Sequence, residues 1–108
     1  MLLSNNVEIK NSAIDANLQK IINQTYKLLP NREENIDWQT PLSTIIEELA
    51  GMARLLDSQH ENLFSVLCKL EGLYLLTKEE DFFLYRRTIF ECLNIMSLIK
   101  KGVVACQD

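Results

Sequence analysis

The sequence predicts an all-α protein: an antiparallel four-helix bundle or a similar helical array, paired as a dimer. Three observations carry this. Apolar residues, 47% of the chain, recur at helical spacing in four stretches. Glycine (3) and proline (2) are scarce, whereas an all-β chain of this size needs many turns. The later stretches are joined by only a few residues, and short links make sequential helices antiparallel neighbours. The 108 residues are read as one helical domain, 1–108.

The first helix is expected over residues 12–29, capped by Asn11 or Ser12 and ended by Pro30. Ile14, Leu18, Ile21, Ile22, Leu28 and Leu29 form one narrow apolar stripe. Residues 30–40 form a polar connector in which Trp38 anchors the loop to the helices. Thr40 and Pro41 mark a second helix, 41–56, with Thr as cap and Pro at the first helical position. Ser58-Gln59-His60-Glu61 fits a capping box and opens a third helix, 59–76. Thr77-Lys78-Glu79-Glu80 fits another and opens a fourth, 78–101, which Gly102 stops. The alternative for the last two is one long helix kinked near Thr77. Residues 103–108 are expected to fray.

Net charge is −4 and unevenly spread: residues 31–61 alone carry −5. No basic stripe offers to displace counterions from nucleic acid, so no nucleic-acid partner is expected. No apolar run approaches the ~18 residues of a membrane span, and the first residues lack the pattern of a secretory signal. Three cysteines without CxxC spacing read as reduced thiols of a cytoplasmic protein. Cys68 and Cys92 read as small core residues, and Cys106 as part of the loose tail.

Little in the chain suggests chemistry. One histidine cannot supply the paired Glu-x-x-His motifs of a di-iron bundle. Glu47 and Glu48 are adjacent, hence about 100° apart on a helix, and no second acidic pair completes a magnesium cluster. No cofactor or metal is expected. Arg54 and His60, with five residues between them, resemble the Arg-x(4–6)-His signature of HEPN ribonucleases, small all-α enzymes that act on RNA. The resemblance rests on two residues. It implies an alternative function, RNA cleavage by Arg54 and His60.

The stronger signal is surplus hydrophobicity. From Phe82 to Ile99, 12 of 18 residues are apolar or aromatic, more than one buried helix face requires. Steps of about 100° separate a core face (Phe82, Tyr85, Ile89, Cys92, Leu93, Met96, Ile99) from a second face. That second face holds Phe83, Arg87, Phe90, Glu91, Asn94 and Leu98, apolar groups interleaved with polar ones as in an interface. Glu71 falls within a broad apolar arc of the third helix, so a buried ion pair with Arg86 or Arg87 is expected. The function that follows is a small, non-enzymatic interaction or regulatory module. Its partners are a second copy of itself and an unidentified protein; a structural subunit of a larger assembly is a further alternative.

Overall fold

The computed structural model describes the backbone of residues 2–56 and 59–105 and the side chains of 13–56 and 59–102. Four α-helices carry it: α1 (Leu2–Glu33), α2 (Gln39–Gly51), α3 (His60–Gly72) and α4 (Phe82–Ala105). No strand occurs among the described residues. Each helix packs on its neighbours in sequence, and α4 closes back on α1 in the most extensive contact of the fold. The molecule is elongated, 55 × 22 × 17 Å, as a 32-residue helix of about 48 Å dictates.

Helix α1 is longer than its apolar stripe at both ends. No Gly or Pro interrupts residues 2–29, so the helix starts at Leu2 and passes through Asn11 and Ser12 rather than being capped there. Pro30 lies inside it. Proline removes one amide donor, but only a single turn follows, and the Pro30 carbonyl still accepts from Glu34 N–H at 2.9 Å. The true stop is Asn35, in the left-handed region at φ 61°. The amides of Asn35 and Ile36 donate back to Arg32 O (3.3 Å) and Asn31 O (2.8 Å), the two bonds of a Schellman motif.

The cap of α2 is Asp37, not Thr40: its Oδ1 accepts from the amides of Gln39 (3.1 Å) and Thr40 (3.2 Å). Hydrogen bonding from the Thr40 side chain first, and from these amides after it, holds the Asp37 carboxyl below its usual range. Pro41 sits in the first turn, where a missing N–H costs nothing. The α-helix ends at Gly51 and continues to Leu56 as turns, shorter than the predicted 41–56. Ser58 of the predicted capping box lies outside the described residues. Between α3 and α4 the helix breaks, as a 3-10 turn at Leu73–Leu75 and another at Glu79–Asp81. Asp81 Oδ2 reaches back to the Lys78 amide at 3.3 Å, one residue later than the predicted box. Gly102 does not stop α4, which runs on to Ala105. Its lack of a side chain instead admits the Gln59 amide group into the space a Cβ would fill.

The core is aliphatic. Leu18, Ile21 and Leu28 of α1 meet Leu42, Ile45 and Leu49 of α2, Val66 and Leu70 of α3, and Ile89 and Met96 of α4. Thr25 is the buried polar exception, its hydroxyl donating to Ile21 O at 2.8 Å. Trp38 packs edge-on against Tyr85 at 5.1 Å between ring centres, which ties the α1–α2 linker to α4.

One side chain joins every segment at that end of the molecule. The Arg32 guanidinium donates to Leu76 O (2.9 and 3.2 Å) and to Lys78 O (2.7 Å). It also lies 5.1 Å from the Tyr85 ring centre and 5.8 Å from those of Trp38 and Phe82. Arg32 therefore clamps the α3–α4 connector, and the break near Thr77 is held from α1 as well as by Asp81.

Candidate interaction surface

Helix α4 presents two faces of opposite character. Tyr85, Ile89, Cys92, Leu93, Met96 and Ile99 are buried and Phe82 half-buried. On the outer side Phe83 is 78% exposed, Leu98 53% and Phe90 40%, with Arg87 and Asn94 exposed between them. Phe83, Phe90 and Leu98 recur at seven and eight residues, about two turns each, so they form a stripe some 22 Å long. Phe90 is the least exposed of the three because Tyr26 of α1 meets its ring edge-on at 6.5 Å and Arg86 lies 5.6 Å above it.

The charged residues settle differently from the sequence expectation. Glu71 is exposed on α3, so it is not a buried carboxylate. Among the described residues it forms no ion pair with Arg86 or Arg87. The α3–α4 ion pair exists with the signs exchanged: Lys69 of α3 meets Glu91 of α4 at 2.9 Å, and Arg87 adds a 3.5 Å contact to Glu91 one turn away. The hydrogen bond and the charge of Lys69 hold Glu91 below its ordinary range, with Arg87 contributing less, and Glu91 holds Lys69 above its own. Glu91 therefore sits at the edge of the outer face and already has its partners within the chain.

Helix α3 adds exposed apolar groups, with Phe64 64% exposed and Leu75 82% exposed just beyond its end. Cys68 shares that outer face and is exposed, whereas Cys92 is buried. Burial pushes the Cys92 thiol up to about 12. Cys68 therefore does not take the core place expected of it: with Val66 inward, Phe64 and Cys68 fall near the opposite side of the helix. Cys106 lies outside the described residues.

The residues of the alternative, RNA-cleaving reading are both exposed. Arg54 is in the turn after α2 and His60 opens α3. No hydrogen bond or ion pair joins them among the described residues. Among the described residues, three or more His, Cys, Asp or Glu side chains do not gather into a metal site. No described helix is long and apolar enough to cross a membrane. Two residues with long-range contacts escaped the sequence reading. Tyr26 lies off the apolar stripe of α1, and only the register of α1 on α4 brings it to Phe90. Arg32 looked like one charge in a polar connector; its partners are main-chain carbonyls and rings from three segments.

Comparisons with protein-family models, curated proteins and solved structures found no match for this chain.

Proposed function

We propose that the chain is a non-enzymatic interaction module built as an antiparallel four-helix bundle, and that it pairs with a second copy through the outer face of α4. The bundle reading is supported by the order of paired residues. Asp15 meets Lys100, Tyr26 meets Phe90 and Arg32 meets Tyr85, so α1 and α4 run in opposite directions. The single observation that carries the functional reading is the exposed stripe Phe83–Phe90–Leu98. Three large apolar side chains aligned on one helix face are more than a scattered surface hydrophobe needs, and a partner surface would remove them from water. A two-fold contact sets this face against its own copy. Asn94, exposed between Phe90 and Leu98, then stands at a polar position that fixes register, with the Arg87–Glu91 pair at the edge.

Light scattering at micromolar concentration tests this on the wild type and on Phe83→Glu/Leu98→Glu. Both side chains are more than half exposed, so the substitution leaves the protomer core intact. The wild type is expected at twice the 12.5 kDa chain mass, and the variant at the chain mass with unchanged helical circular dichroism. A monomeric wild type would refute the two-fold surface.

A further inference from the structure

A groove of about 520 Å³ runs along the seam of α1 and α4, lined by Gln19, Ile22, Tyr26, Ser97, Lys100 and Lys101. None of these belongs to the Phe83–Phe90–Leu98 stripe. Ile22 forms an apolar floor and Tyr26 a half-exposed aromatic wall. Cations stand at both ends: Arg86 over Phe90 beyond Tyr26, and Lys100 and Lys101 at the other. Lys100 is paired with Asp15 at 3.5 Å, whereas Lys101 is exposed. No acidic side chain is among the six lining residues. The whole of α4 shares this character: Arg86, Arg87, Lys100 and Lys101 against Glu91 give it a net charge of +3 in a chain of net −4.

We propose that this groove docks an acidic helical segment of a partner protein. The proposal rests on the reading of the chain as an interaction module and names the chemistry of its second partner. Charge decides the occupant. The cations at both ends of the groove attract a segment rich in Glu or Asp. Between Asp15 and Tyr26 the seam spans about 16 Å, three turns of a docked helix. Such a helix sets one apolar face on Ile22 and Tyr26 and directs its carboxylates to Lys101 and Arg86.

The probe is a synthetic amphipathic helix of about 14 residues with Leu on one face and Glu on the other. Its titration into the isotope-labelled protein is followed through backbone amide resonances. Amide shifts at Ile22, Tyr26, Ser97 and Lys101 are expected, with affinity falling about tenfold or more between about 0.05 and 0.5 M salt. Lys101→Glu should weaken the peptide to a similar degree while leaving the mass by light scattering as in the wild type. A wild type that is monomeric yet binds the peptide in the groove would support this proposal while refuting the two-fold surface. The proposal is overturned if a matching peptide with Lys in place of Glu binds equally well. It is overturned too if the shifts fall on Phe83 and Leu98 instead, or if phosphatidylserine vesicles perturb the groove and the Glu peptide does not.

Discussion

Arg32 donates to two main-chain carbonyls of the α3–α4 connector and faces three aromatic rings. Charge-assisted bonds contribute about 1.5–3 kcal/mol each, and stacking on rings adds about 1 kcal/mol. Arg32→Ala should therefore cost about 2–4 kcal/mol in urea unfolding, discounted for its partial exposure. Arg32→Lys should recover little, because an ammonium cannot reproduce the planar fork. Nearby, the Tyr85 hydroxyl is buried with no hydrogen-bond partner among the described residues, and burial raises its pKa well above the ordinary phenol range. An unsatisfied buried hydroxyl costs about 1–3 kcal/mol, so Tyr85→Phe should be neutral or stabilising by about 1 kcal/mol. A clear fall in thermal midpoint would show that the hydroxyl has a partner after all. The two described cysteines differ in kind. Peptide-mapped alkylation of the native protein should modify exposed Cys68 and spare Cys92, whose thiol is held protonated by burial until the chain unfolds.

At the scale of the element, the Lys69–Glu91 pair binds α3 to α4, and its pH dependence has a definite sign. The folded-state pKa of Glu91 lies below its ordinary value of 4.5. Its contribution is therefore complete above that ordinary value and is lost as pH falls through the lower folded one. Lys69 is raised above 10.5, so its share is complete below 10.5 and is lost as pH rises through the higher folded value. A double-mutant cycle with Lys69→Met and Glu91→Gln should show favourable coupling at neutral pH that disappears in strong acid. Coupling that persists in acid would mean the pair is not held by charge. Helices were legible wherever an apolar stripe met a strong boundary, and the break between α3 and α4 could be read from a capping box, one residue early. The ends of α1 and α2 were obscured because neighbouring signals compete. Pro30 outweighed Asn35 as a stop, although only Asn35 adopts the left-handed conformation that ends a helix. Thr40-Pro41 masked Asp37, whose carboxylate reaches two amides at once. Gly102 read as a stop because helical spacing cannot reveal that Gln59 occupies its missing side chain's space. On α3, Glu71 and Cys68 were placed inward because spacing gives relative angles between residues, not where the arc meets solvent.

At the scale of the whole molecule, α4 combines positive charge with an exposed apolar stripe. Helix α4 carries +3 while the chain carries −4, and its outer face holds Phe83, Phe90 and Leu98. The two faces of α4 were readable from the alternation of apolar and polar residues; the α1–α4 groove was not, since it exists only through the register of two helices distant in sequence. The two proposed partners respond oppositely to salt. Two α4 helices of like charge across a two-fold repel, so screening should tighten the dimer, whereas an acidic segment in the groove should be released. The most direct measurement is therefore sedimentation equilibrium of the wild-type protein over a range of concentration, at low and high salt. The account predicts reversible association to twice the 12.5 kDa chain mass, with the midpoint moving to lower concentration as salt is added. A single species at the chain mass under every condition would contradict it.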